Sequence, residues 1–170
     1  MRMTIAADVT PSVLKQAEVF VEFDSFRPKR AVDATVGRYR IKTAESPGEL
    51  LAALRLRHEV FFRERLGRTL PGEIDFDRFD LFADHLIVVD EEANRLIATY
   101  RMLCSNFARR FYSETEFEIE GFLAAGGVKL ELGRACIAAD YRNGTALNLV
   151  WKGVSRYALA TGARFMKERA

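Results

Sequence analysis

The stretch from Leu130 to Trp151, LELGRACIAADYRNGTALNLVW, constrains this chain more than any other. Its first residues make an apolar run suited to a buried strand, a Tyr-Arg-Asn-Gly turn follows, and a second apolar run opens at helical spacing. A strand that delivers a glycine-bearing turn to a helix start is a common way to bind phosphate. The first helical turn has free amides, and the helix dipole favours negative charge there. The strand also carries Glu131 and Arg134, whose charges are costly to bury without a partner or a task. Chemistry is expected here.

The rest of the chain narrows what that chemistry can be. At 170 residues it is one domain by length, and 49% apolar residues with a net charge of +2 argue against both disorder and a nucleic-acid footprint. No segment approaches the roughly 18 apolar residues of a membrane span, and the N-terminus lacks a signal-peptide core, so the expected compartment is the cytoplasm. Cys104 and Cys136 lie in strand-like segments without a CxxC partner and read as buried hydrophobes. His58 and His85 are the only histidines, and no cluster has metal-ligand spacing, so no metal is expected.

Residues 1–37 show no sustained period and read as an N-terminal arm with one weak helix near Ser12 to Val21; the domain proper is expected over 38–170. Arg38 to Thr43 alternates as a first strand. Ser46-Pro47-Gly48-Glu49 then signals a helix, with Ser46 as N-cap, Pro47 in the first helical position and Glu49 closing a capping box. Leu50, Leu54, Arg57 and Phe61 share its apolar stripe, so the guanidinium of Arg57 is out of place. It either pairs structurally at the rim, or clamps an anion or an acidic loop.

Leu66 to Asp84 is long for a connection, and it carries Glu73, Asp75, Asp77 and Asp80 with Phe76 and Phe79 between them. The order of acids is not that of an EF-hand, and the phenylalanines argue for a lid that packs down. His85 to Asp90 and Leu96 to Cys104 read as a hairpin. On its second strand Arg101 shares a face with Ile97, Thr99 and Leu103. Phe107 to Gly127 reads as a short helical excursion, and Val128 to Ile137 as a strand. Strict alternation puts Glu131 and Arg134 on opposite faces, unless a bulge at Gly133 re-aims one of them. A helix from Thr145 ends at Gly162, and Ala163 begins one more strand. This order indicates an α+β domain on a largely antiparallel sheet.

Four tetra- and pentapeptides now form a pattern: RHEVF (Arg57 to Phe61), DRFD (Asp77 to Asp80), TYRML (Thr99 to Leu103) and ELGR (Glu131 to Arg134). In this order the chain resembles the GNAT superfamily, in the branch shared by ornithine-lipid N-acyltransferases and acyl-homoserine-lactone synthases. FYSETEF (Phe111 to Phe117) and the run from Asp140 to Tyr157 resemble the ornithine-lipid side. The resemblance covers about Tyr39 to Phe165. It implies the GNAT fold, a mostly antiparallel sheet flanked by helices. Further C-terminal strands would be missing, because the family's domain continues past Ala170.

The resemblance also implies an acyl carrier protein thioester as donor and the α-amine of ornithine as acceptor, with no cofactor beyond the donor's phosphopantetheine. Peripheral contact with the inner membrane face is compatible with such a product. Arg142-Asn143-Gly144-Thr145 is shorter than the usual acetyl-CoA motif, and one phosphodiester needs only a small amide cradle. Acyl transfer to an amine needs a proton acceptor, an oxyanion site and alignment. Glu131 is expected to take the ammonium proton, beside Arg101 and Arg134, while amides near Gly133 to Ala135 hold the thioester oxygen. Arg57, Phe61, Asp77 and Asp80 form the expected substrate-binding set. Three alternatives stand beside this: a lactone synthase using S-adenosylmethionine, a generic acetyltransferase, and a carrier-binding or truncated domain without catalysis. The competing reading of Glu131 with Arg134 is a structural ion pair.

Overall fold

The computed structural model describes residues 26–168. The weak helix expected near Ser12 to Val21 and the end at Ala170 lie outside them. Six strands form one sheet in the order of the chain: β1 (Asp33–Val36), β2 (Tyr39–Thr43), β3 (Asp84–Asp90), β4 (Arg95–Cys104), β5 (Val128–Ile137) and β6 (Ala163–Glu168). Every neighbouring pair is antiparallel except β5 with β6, which are parallel. Three α-helices accompany them: α1 (Pro47–His58), α2 (Glu120–Ala124) and α3 (Thr145–Thr161). The fold is the α+β arrangement expected, with one correction. β1 falls inside the proposed arm, so the boundary at residue 37 cuts the β1–β2 hairpin at Gly37, whose φ is 58°.

Alternation along the strands divides the core. Leu86 and Val88 of β3, Tyr100 and Met102 of β4, and Leu130 and Leu132 of β5 pack with Leu149, Val150, Val154 and Tyr157 of α3. Ile87 turns the other way and packs with Leu50, Ala53 and Leu54 of α1. A third cluster, of Phe79, Leu103, Phe111 and Ile119, closes the sheet end beneath the 105–124 segment. Helix α1 starts as its sequence dictates: Ser46 Oγ accepts from Glu49 N at 3.2 Å with Pro47 following. Glu49 reaches back to Glu45 N instead of the Ser46 amide, so the capping box is displaced by one residue.

The expected stripe breaks after His58. Glu59–Glu64 is a π-helical segment, one residue wider per turn, which takes Phe61 out of phase with Leu50, Leu54 and Arg57. Phe61 ends only half-buried, its ring 5.6 Å from the Arg65 guanidinium.

Helix α3 lies close on the sheet at Gly153. A Cβ there would stand 2.7 Å from Ile41 Cγ2 and from both δ-methyls of Leu86, all in fully buried side chains. Gly153→Ala is expected to lower the unfolding free energy by about 1 kcal/mol, overpacking exceeding the helix-propensity gain, and Gly153→Val by more than about 2 kcal/mol. Urea unfolding monitored by circular dichroism measures both; unchanged midpoints would show that α3 does not sit this close.

Candidate active site

Three guanidiniums from three separate elements meet three carboxylates of one loop. Arg57 of α1 has no exposed side-chain surface. Its Nε donates to Asp75 at 3.0 Å and its Nη1 and Nη2 to the two oxygens of Asp80 at 2.6 and 3.3 Å. Arg101 of β4 donates to Asp77 at 2.7 Å and to Asp80 at 3.2 Å. Arg134 of β5 lies 3.6 Å from Asp75 and 3.7 Å from Asp77, longer than hydrogen bonds. The charges balance, so the loop is held to the sheet without an uncompensated buried ion.

Local sequence prepares the loop for this. Asp77 caps a 3-10 turn, Arg78–Leu81, by accepting from Phe79 N, while Asp80 accepts from the Asp77 amide at 2.8 Å. His58 Nε2 accepts from Leu70 N at 2.9 Å and pins the start of the same loop. Burial opposes the charge of Asp80, but the guanidiniums of Arg57 and Arg101 outweigh it and hold the carboxyl well below the usual carboxylate range. His85 is fully buried next to it, 3.2 Å from the Asp80 carbonyl, with an edge contact to Phe26. Burial depresses its pKa to about 4 against the partial opposition of Asp80, so the imidazole is neutral at neutral pH.

Arg134 reaches this cluster through a distortion of β5. Thr99 pairs with Cys136 and Arg101 with Gly133, so Arg134 and Ala135 together face Tyr100. The positive φ of 56° belongs to Arg134, and Gly133 has none. The bulge expected at Gly133 is present, but the turning residue is its neighbour. The result is that Arg134 and Glu131 project to the same side. Arg134 lies 5.9 Å from the rings of both Phe61 and Tyr112, and its Nε has no hydrogen-bond partner.

Glu131 is not paired with Arg134. Its two oxygens accept from the backbone amides of Tyr112 at 3.1 Å and Ser113 at 2.9 Å, at the start of the 3-10 turn Tyr112–Thr115. That turn sets the Tyr112 ring 5.1 Å from the Arg101 guanidinium.

A cleft of about 420 Å³ opens beside the same bulge, with Val60 and Glu64 of the π-helical segment and Arg65 just after it in its wall. Thr99 and Tyr100 of β4, Ala135 to Ile137 of β5, Trp151 of α3 and Arg142 line it. Tyr100 donates to Glu168 at 2.7 Å at this cleft and meets Trp151 edge-on. Cys136 is in its wall, but burial pushes the thiol up to about 12, so it is no nucleophile. At the mouth, Arg142 bonds Glu64 of the π-helical segment at 2.7 Å and the Ile137 carbonyl at 2.9 Å. Gly144, with φ of 86°, is the N-cap of α3. Asn143 Oδ1 accepts from Thr145 N at 3.2 Å, so one first-turn amide is already satisfied. Among the described residues no group of three or more His, Cys, Asp or Glu is arranged to hold a metal.

Of the residues picked from sequence, Arg57, Arg101, Arg134, Asp77 and Asp80 come together, Glu131 projects to their side of the sheet, and Arg142 to Thr145 flank the cleft. The expectation that Arg57 and Asp80 touch substrate is corrected. Neither has exposed side-chain surface, so both act by positioning Asp77, Arg101 and the loop. Sequence reasoning missed Asp75, although its place in the acidic run could have flagged it. It also missed Tyr100, Tyr112, Trp151 and Glu64, whose roles come only from tertiary contact.

A family model described as an acetyltransferase (GNAT) domain matches residues 56–152, a span holding Arg57, the acidic loop, both site strands and the turn. The chain is 36% identical over 135 residues to an L-ornithine N(alpha)-acyltransferase of Rhodobacter capsulatus, covering 72% of this chain and 52% of that protein. A relative of the same name from Rhizobium meliloti is 30% identical over 174 aligned residues, covering 94% and 59%. The chain thus spans about half the length of the curated relatives it matches. Among solved structures it resembles the AHL synthase LasI, with a TM-score of 0.55 at 17% identity over 76% of this chain and 70% of that one. Glucosamine-6-phosphate N-acetyltransferase from Arabidopsis thaliana gives 0.50 at 12% identity, over 78% and 82%. At these identities the likeness is one of fold.

The buried imidazole makes stability depend on pH with a definite sign. Unfolded chain takes up the His85 proton below about 6.5 and the folded chain only near 4, so stability is lost as pH falls through that window. The loss attributable to His85 is expected to be on the order of 3 kcal/mol, and His85→Gln should abolish most of it in urea unfolding at pH 6.5 and 4. Asp80→Ala removes the carboxylate shared by Arg57 and Arg101, leaving one positive charge uncompensated in the buried cluster, and is expected to cost about 3 kcal/mol or more at pH 7.

Proposed function

The chain belongs to the GNAT acetyltransferase family, and on that premise we propose that it is an N-acyltransferase of ornithine-lipid synthesis. It moves a 3-hydroxyacyl chain from the phosphopantetheine thioester of an acyl carrier protein to the α-amine of ornithine. The observation that carries this reading is that one bulge of β5 borders both a cleft, lined by Ala135 to Ile137, and the Arg101–Arg134–Asp77 cluster. Reactants held in the cleft and against the cluster meet at Gly133 to Ala135. The likeness to L-ornithine N(alpha)-acyltransferases supports this acceptor.

The donor's phosphodiester rests at the start of α3, where Arg142 and the remaining first-turn amides supply a cradle for one phosphate. The acceptor lies against Arg134 and Asp77. The Arg134 side chain is 24% exposed and its two Nη groups make only loose ion pairs, so they retain donors for the α-carboxylate. Asp77, its side chain 24% exposed, offers a carboxylate to the second ammonium. Glu131, itself only 2% exposed, accepts the α-ammonium proton through an intervening water; each carboxylate oxygen has acceptor capacity beyond the one backbone amide it already holds. The amine attacks the thioester carbon, backbone amides at Gly133 to Ala135 hold the oxyanion, and the C–S bond breaks to release the phosphopantetheine thiol.

Among the described residues no helix is long and apolar enough to cross a membrane. We place the chain in the cytoplasm, with contact at the inner membrane face where its amphiphilic product collects.

Incubation with 3-hydroxyacyl carrier protein and ornithine, followed by thiol release and product mass, tests the reading; acyl-homoserine lactone formed from S-adenosylmethionine in its place would overturn it. Glu131→Gln is expected to cut turnover by about 100-fold or more with the far-ultraviolet spectrum unchanged. Near-normal turnover with a lowered melting temperature would make Glu131 an anchor of the Tyr112–Thr115 turn and nothing more.

A further inference from the structure

One cavity takes no part in the reaction above. It holds about 510 Å³ between the Arg78–Leu81 turn and the loop leading to Phe111, with Phe79, Leu81, Phe82, Phe107 and Ala108 as its apolar lining. Among the described residues its charged lining is Arg78, Arg109 and Arg110, with no acid. We propose that this face docks on an anionic lipid bilayer, Phe82 entering the interface while the three guanidiniums meet lipid phosphates.

Phe82 is 51% exposed and its ring can satisfy no hydrogen bond, so hydrocarbon is the partner that suits it. The arginines are exposed around it, and among the described residues the one carboxylate paired with them is that of Glu114. Arg110 has a carboxylate, that of Glu114, at 3.8 Å with its own side chain 70% exposed, and Arg78 lies 5.3 Å from the Phe79 ring. Long stems on apolar surface with charged heads free is the geometry of a snorkelling residue. A second, shallower cavity shares Phe107 and Arg109 and carries the face on to Leu123, 40% exposed.

Other occupants satisfy only part of this surface. A soluble anion needs donors converging on one point, whereas these cations ring an apolar depression. An acidic protein would match the guanidiniums but give Phe82 no hydrocarbon. A bilayer with anionic headgroups supplies both, and attraction of arginines to it is additive. The location also suits the acyl-transfer reading, since Phe79 is a wall of this cavity and its ring lies tilted 5.2 Å from that of Tyr112 of the site. The inference rests on that reading only for its purpose, because vesicle binding and turnover are separate measurements.

The full chain is to be sedimented with phosphatidylcholine vesicles with and without phosphatidylglycerol, alongside Arg109→Glu/Arg110→Glu and Phe82→Ser, each checked by circular dichroism. The expected result is binding about tenfold or more stronger to the anionic vesicles, weakened by salt, with the charge reversal reducing it by about tenfold or more. Phe82→Ser should weaken binding at unchanged charge, and turnover with soluble substrates should stay at the wild-type level in both variants. Failure of the wild-type chain to sediment with anionic vesicles would overturn the proposal, as would binding that survives both variants. So would a chain that ignores vesicles yet binds acyl carrier protein through Arg109 and Arg110, which would give the face to an acidic protein.

Discussion

The charge on Asp80 is the constraint from which the site follows. A carboxylate with no exposed surface persists only where cations and amides replace water around it, and here Arg57, Arg101 and the Asp77 amide do so. Each of those partners belongs to a different part of the chain. Helix α1, strand β4 and the acidic loop are therefore fixed in mutual register by one side chain, and with them Asp77, the most exposed of the three clustered carboxylates. His85, next to Asp80, is neutral because it is fully buried, an effect that the Asp80 carboxylate opposes only in part.

A second constraint lies in the sheet. Among the described residues β6 pairs with β5 from Val128 to Leu132, and beyond Leu132 β5 bulges against β4. One displacement of the backbone has two effects: it turns Arg134 to the acidic loop, and it exposes Ala135 to Ile137 along the cleft beside Trp151. The phosphate-sized turn, the cleft and the ionic cluster are successive stations along this one strand, which explains why so much of the site is encoded within Leu130 to Trp151.

That compactness made much of the site legible in the sequence. β5 and α3 depend on local signals, an apolar run and a helical period closed by Gly162, and both occur where those signals place them. The motif residues were legible through their unsuitable chemistry, since guanidiniums in apolar rows call for partners. Which partners they find was not legible. Asp75 joins Arg57 because of the path of the loop, and Glu131 turns to two backbone amides because the 3-10 turn after Phe111 delivers them. Phe61 left the stripe because the helix widens after His58, a change no periodicity announces. β1 was hidden because four residues are too few to establish alternation, and it is held as a strand by pairing with β2.

Arg134 sits in left-handed backbone space that costs a non-glycine residue on the order of 1 kcal/mol or more. A glycine would relax the backbone there and at once delete the guanidinium that faces Asp75 and Asp77. Robustness and reactivity therefore compete for a single codon. Backbone ease at this position can be gained only by giving up the guanidinium that faces the acidic loop, so the strain at Arg134 and its place beside Asp75 and Asp77 are two sides of one residue.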